Sequence, residues 1–111
     1  MDKEHNFVAI NYIDCEESYK PRFEELFATR ANAIDAMPGF RNMQILKPKD
    51  NSGSYLIVSF WENEDDFKKW HDSPAFMAGH NRGFADMVKA REEGRTPPMK
   101  SSFKTYDVLA R

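Results

Sequence analysis

Residues Phe40 to Trp61, FRNMQILKPKDNSGSYLIVSFW, decide the fold. Two apolar-rich runs, Phe40–Leu46 and Ser54–Trp61, flank KPKDNSG (Lys47–Gly53), a joint made of the Pro, Asp, Asn, Ser and Gly that turns require. That arrangement predicts a β-hairpin. Tyr55, Leu56, Ile57, Val58, Phe60 and Trp61 give its second strand apolar side chains on both faces. Successive strand residues point to opposite faces, so this strand suits a sheet that is covered on both sides.

Toward the N-terminus, Phe7 to Ile13 (FVAINYI) reads as another strand, with Val8, Ile10 and Tyr12 on one face and Phe7, Ala9, Asn11 and Ile13 on the other. Between the two lies a predicted helix from Ser18 to about Met37. Phe23, Leu26, Phe27, Ala31 and Ile34 recur at the 3, 4 and 7 spacing of a core-facing stripe. Glu16 and Glu17 stand where the helix dipole favours negative charge, Pro21 is tolerated only in a first turn, and Pro38-Gly39 stops the helix.

Toward the C-terminus, Asn63 is set to cap a second helix, with Asp65 and Asp66 in its first turn and Phe67 and Trp70 on its inner face. Asp72-Ser73-Pro74 breaks that helix and starts a third, short one, with Ser73 as cap and Pro74 at the first helical position. Phe76, His80 and Phe84 follow at i, i+4 and i+8. Val88 to Lys100, containing REEGRTPP, reads as a long loop, and Phe103 to Leu109 as the last strand.

The order β-α-β-β-α-β predicts a ferredoxin-like α+β domain over residues 1–111, an antiparallel sheet with helices on one face only. The opposite sheet face is also apolar, so a face-to-face homodimer is expected to cover it.

Composition narrows the function classes. A chain of 111 residues allows one domain and excludes a barrel of about 250 residues. With 16 Lys+Arg against 18 Asp+Glu, the net charge of -2 argues against nucleic acid as a partner. Mean hydropathy is -0.74 and no apolar run approaches the ~20 residues of a membrane span. The polar start, Met1 to Asn6, lacks a signal-peptide core, and the lone Cys15 fits a reducing cytoplasm. Against this hydrophilic background, aromatic residues make up 14% of the chain, with 9 Phe, 4 Tyr and 2 Trp. That is more than such a short chain needs for one core.

Asn11, Trp70 and His80 fit poorly with a purely structural account. Asn11 puts an amide in the middle of an apolar strand, which costs about 1–3 kcal/mol unless the amide is hydrogen-bonded. It is either satisfied locally, as at a bulge, or it serves a ligand. Trp70 stands where a core aromatic is expected anyway. His80 shares the stripe of Phe76 and Phe84 and so faces the interior. It is either a satisfied core histidine or an axial ligand of haem iron in an aromatic pocket. Ten helical residues turn the chain by about 1000°, so Trp70 and His80 would diverge on one continuous helix. The Ser73-Pro74 break lets both converge on the space between helices and sheet, with the Phe7/Ala9/Asn11/Ile13 face as its floor.

FVAINYI, MPGF and above all KKWHDSPAFMAGH (Lys68–His80) resemble the IsdG-type haem-degrading monooxygenases of the antibiotic-biosynthesis-monooxygenase superfamily. The likeness runs from the first strand through the His80 helix and fades in the last 25 residues. The family's Asn–Trp–His set falls on Asn11, Trp70 and His80. The resemblance implies a dimeric α+β barrel in which each subunit binds one haem as substrate and cofactor. It makes His80 the proximal iron ligand through a neutral nitrogen and Asn11 a distal hydrogen-bond donor to bound oxygen or a pyrrole nitrogen. Trp70 becomes the bulk that forces the porphyrin out of plane.

Phe27 and Phe76 would wall the haem. Arg30, in FATR, matches a family arginine suited to a haem propionate, or else it is an ordinary solvated residue; Arg82, Lys89, Arg91 and Arg95 are further candidates. His71 is expected to be exposed and His5 has no assigned role. Leu26 departs from relatives that carry a basic residue there.

The reading is a cytoplasmic haem oxygenase that opens the porphyrin with O2 and releases iron. Its electrons come from a separate reductase, since no GxGxxG motif is present. The alternatives are a cofactor-free, quinone-forming monooxygenase of the same superfamily and a non-enzymatic haem carrier.

Overall fold

The runs that flank KPKDNSG pair as β2 (Phe40–Leu46) and β3 (Tyr55–Trp61), antiparallel, with Leu46 opposite Leu56 and a register shift between Phe40 and Asn42. This computed structural model describes residues 4–30 and 32–111. β1 (Phe7–Cys15) lies between β3 and β4 (Met99–Asp107), so the sheet order is β2-β3-β1-β4, all antiparallel. The fold is the expected ferredoxin-like arrangement. The two strands that are apolar on both faces, β1 and β3, occupy its centre, where both faces of a sheet can be covered.

Three helices, α1 (Lys20–Ala28), α2 (Glu64–His71) and α3 (Pro74–Glu92), pack on the face formed by Phe7, Ala9, Asn11 and Ile13. The core there has two parts. Phe7, Ala9, Ile34, Trp61 and Phe67 form one, and Ile13, Tyr19, Phe23 and Tyr55 the other. On the opposite face Val8, Ile10, Tyr12, Leu56 and Phe60 are only half-buried, and Leu46 and Tyr106 are exposed. No helix among the described residues is long and apolar enough to cross a membrane.

The structure corrects several sequence expectations. The helix expected over 18–37 is not continuous. A 3-10 turn (Glu17–Tyr19) precedes α1, α1 stops at Ala28, and a second 3-10 turn (Ala33–Ala36) follows. Two hydrogen bonds end α1: the Thr29 hydroxyl donates to the Glu25 carbonyl at 2.8 Å, and Arg82 donates to the Leu26 carbonyl at 2.8 Å. A guanidinium at a helix C-terminus satisfies free carbonyls and complements the dipole. Asn32 then takes φ 60, which no α-helix can continue through. Ile34 is nonetheless buried, so the apolar spacing marked the core face although the helix had ended. Ala31 of that stripe lies outside the described residues.

The third helix is long rather than short. α3 runs 19 residues to Glu92, buries Ala90 and ends ahead of Gly94, whose φ is 72. Its polar residues between Val88 and Glu92 are a helix's solvent face, so the loop expected over Val88–Lys100 shrinks to Glu93–Pro98. The last strand starts at Met99 rather than Phe103, and Leu109 lies beyond it, fully exposed. Asn63 caps α2 as expected, accepting from the Asp66 N–H at 2.9 Å. Ser73 does precede α3, but its hydroxyl donates back to the Trp70 carbonyl at 2.6 Å and closes α2 instead of capping α3.

Candidate active site

Between the helices and the sheet lies a cavity of about 440 Å³, within the ~300–1,000 Å³ range of small-molecule and cofactor sites. Ala9, Asn11 and Ile13 of β1, with Ile57 and Ser59 of β3, form its floor. Phe7, expected there as well, is instead buried against Phe67 at 5.5 Å between ring centroids. The bulkier side chain completes the core rather than facing the space.

The convergence expected from the Ser73-Pro74 break is present. Trp70 near the end of α2 and His80 on α3 both line the cavity, with ring centroids 6.1 Å apart. Trp70 is wedged against Trp61 at 5.6 Å and Phe76 at 5.1 Å. Its Nε1 is buried without a hydrogen-bond partner among the described residues, and so is Asn11 Oδ1. An indole N–H can only donate and an amide oxygen can only accept, so each is a buried group with one unmet need.

His80 Nδ1 lies 2.6 Å from the Phe76 carbonyl oxygen. That oxygen can only accept, so Nδ1 carries the proton and donates, and Nε2 keeps a free lone pair. Phe76 stacks on the imidazole at 4.0 Å and Phe84 at 5.5 Å. Burial holds the His80 pKa below the ordinary histidine value; the bond to Phe76 works against this and the His71 charge adds to it. The ring is therefore neutral near pH 7.

Phe27, Arg30 and Phe76 also line the cavity. Arg30 uses Nη2 on Asp35, at 3.2 and 3.4 Å. Arg82 reaches the wall but spends its donors on α1: besides Leu26 it meets the Thr29 hydroxyl at 2.7 Å and the Thr29 carbonyl at 3.0 Å. Lys89, Arg91 and Arg95 are not among the lining residues, and Arg95 pairs with Glu93 at 3.1 Å. His71 is exposed as expected, yet it borders the cavity and packs against Phe76 at 4.7 Å. His5 is remote from the cavity and packs on Phe60 at 4.7 Å.

Among the lining residues that the sequence does not single out, Ser59 and Phe103 bear most on the site. Ser59 is a buried serine inside an apolar strand, and the alternation Ile57, Ser59, Trp61 was the signal that it shares the helix-covered face. Phe103 pairs with Asn11 across β4 and stacks on Phe67 at 5.7 Å. Its placement depends on β4 register, which no local pattern supplies.

The family model described as antibiotic biosynthesis monooxygenase matches residues 6–82. The chain belongs to this family. Among curated relatives, a heme oxygenase (mycobilin-producing) of Mycobacterium tuberculosis is 37% identical over 75 residues, 66% of this chain and 71% of the relative. A heme oxygenase (staphylobilin-producing) of Staphylococcus epidermidis is 30% identical over 107 residues, 94% of each chain. Among solved structures, the heme-degrader MhuD of M. tuberculosis, with two hemes bound in its active site, is 28% identical with a TM-score of 0.68, covering 95% of this chain and 97% of that one. SnoaB of Streptomyces nogalater, a cofactor-independent oxygenase, reaches a TM-score of 0.71 at 19% identity over 96% of both chains, a likeness of fold alone. The segment matched to the antibiotic biosynthesis monooxygenase family holds Asn11, Trp70 and His80 and stops at Arg82. It is the superfamily that FVAINYI, MPGF and KKWHDSPAFMAGH resemble.

Proposed function

We propose that this member of the family is a haem-degrading monooxygenase, with haem as both substrate and cofactor. The observation that carries the reading is the state of His80. It is a neutral imidazole with Nδ1 tied to Phe76 and Nε2 open, set in an aromatic-walled cavity whose other two singled-out residues have unmet polar atoms. The donor set fits haem: a nitrogen ligand for iron, apolar walls for the macrocycle, and a guanidinium for a carboxylate. When bound, haem supplies the iron that takes up O2, and electrons reach it from a separate reductase.

The chain's own residues then have distinct tasks. His80 holds the iron through Nε2, while the Phe76 carbonyl fixes its tautomer and ring orientation, as partners of metal-bound imidazoles do. Asn11, on the cavity floor, would offer its amide as a hydrogen-bond donor to a ligand bound there. Trp70 is braced by Trp61 and Phe76, and because interiors are near close-packed it cannot yield to a planar porphyrin. A bound porphyrin would be pressed toward distortion there, a strain in the direction of reaction. Phe27 and Phe76 would wall the macrocycle, and Arg30, only partly engaged by Asp35, would take a propionate.

A second copy of the chain covers the half-buried sheet face, making the dimeric barrel. Cys15 stays a thiol, since burial pushes its pKa up to about 11. The products are an opened porphyrin and released iron. A carrier that merely stores haem has no use for an open amide at Asn11.

Titrating hemin into the purified protein tests the reading. A saturable Soret band at one haem per chain is expected, and the absence of any band contradicts it.

A further inference from the structure

Ser59 is 6% exposed and lies on the cavity floor. The indole N–H of Trp61, itself fully buried, donates to Ser59 Oγ at 2.9 Å. Because an indole can only donate, the serine oxygen is the acceptor. The serine keeps its own hydrogen, and that hydrogen has no acceptor among the described residues. Two further unmet groups, Asn11 Oδ1 and Trp70 Nε1, belong to residues that line the same cavity. Ser59 pairs with Ala9 and Ile57 with Asn11, so Ser59 and Asn11 are diagonal neighbours on one sheet face, about 7–8 Å apart along the backbone and closer through their side chains. Trp70 packs on Trp61, the donor to Ser59.

The hydrogen-bond accounting is complementary. Ser59 O–H and Trp70 Nε1–H lack acceptors, and Asn11 Oδ1 lacks a donor. A water molecule accepts two hydrogen bonds and donates two, and buried waters typically make about three. From this geometry we infer that the floor of the cavity is a built site for one ordered water in the ligand-free protein, accepting from Ser59 O–H and Trp70 Nε1–H and donating to Asn11 Oδ1. On the haem reading above, on which this second step rests, Ser59 is an added hydrogen-bond donor. It would donate to an oxygen ligand lying over the cavity floor.

The test has two arms. A high-resolution crystal structure of the ligand-free protein is expected to show one water within hydrogen-bond distance of Ser59 Oγ and Asn11 Oδ1, lost or displaced in Ser59→Ala. An empty floor in the wild type, or a water unmoved in Ser59→Ala, overturns the site. In ferric hemin-loaded protein, fluoride serves as an accepting anion. Its affinity is expected to fall about tenfold in Ser59→Ala, with hemin affinity unchanged, because bonds to charged acceptors are the stronger kind. Ser59→Thr keeps the hydroxyl and restores fluoride binding. Equal fluoride affinity in wild type and Ser59→Ala overturns the oxygen-ligand role. If the wild type takes up no hemin, the function reading and the oxygen-ligand role built on it fall together, while the crystal arm alone decides the water site. Ser59→Ala also strips Trp61 of its acceptor. Should it fail to fold, the wild-type crystal structure and the Ser59→Thr titration still decide.

Discussion

Near Ile13 and Phe23, Tyr19 and Tyr55 each close a hydroxyl on a carboxylate, Asp86 at 2.8 Å and Glu24 at 2.5 Å. Near Ala9 and Trp61, Asn11 and Trp70 keep buried polar atoms with no partner among the described residues. Both regions lie in one layer between the same sheet and helices, and both mix aromatic with polar groups. The first is complete as it stands. Asp86 also accepts from Arg22 at 2.9 Å, and although burial opposes it, the bonds from Arg22 and Tyr19 hold its carboxyl below the usual range. Burial and the Glu24 bond push Tyr55 up to about 12. The second region holds polar groups that no described residue satisfies. Closed polar networks mark the scaffold and open ones mark the site.

Substitutions on the open side are expected to cost function and leave the fold intact. His80→Ala has the largest effect: hemin affinity falls about a hundredfold or more, while the apo protein melts where the wild type does. A His80→Ala protein with an undisturbed Soret band breaks the comparison at its centre. Asn11→Ala comes next. Its turnover drops about tenfold to a hundredfold with hemin affinity nearly kept, the size expected for a lost transition-state hydrogen bond. Because the mutation deletes an amide oxygen that no described residue satisfies, only a bond to water is lost and apo stability is expected to hold in chemical denaturation.

On the closed side the signs reverse. Asp86→Ala orphans Tyr19 and Arg22 and costs about 1–3 kcal/mol, or roughly 4–8 °C of melting temperature per kcal/mol, with hemin binding unchanged. The smallest effect is a pH dependence. The His80 pKa is lowered in the folded chain, so the unfolded chain takes up that proton first. Apo stability therefore declines as pH falls below about 6.5 and levels off beneath the folded value. Hemin affinity persists through pH 6.5 and is lost only further down. In His80→Ala this part of the stability curve is flat.

The open region was more legible in the sequence than the closed one. An Asn in an apolar strand, and a Trp and a His on either side of a Ser-Pro break, are local signals, and the structure brings all three residues to one cavity. The α1 boundary was not legible, because the apolar spacing runs on through Ile34. What stops the helix is Arg82, 53 residues beyond Thr29, together with the left-handed Asn32. The length of α3 was hidden for a similar reason: its last turns are polar outside and bury only Ala90, which composition alone reads as loop. Ser59 and Phe103 join the site through strand register, a pairing that forms at long range.

The central claim is that the open region waits for haem in order to destroy it, and single-turnover degradation tests this most directly. Hemin-loaded protein in air, given ascorbate or a reductase, is expected to lose its Soret band, yield chelatable iron and release an opened tetrapyrrole identifiable by mass spectrometry. A Soret band that persists under those conditions, with no iron released, would contradict the account and leave a haem carrier in its place.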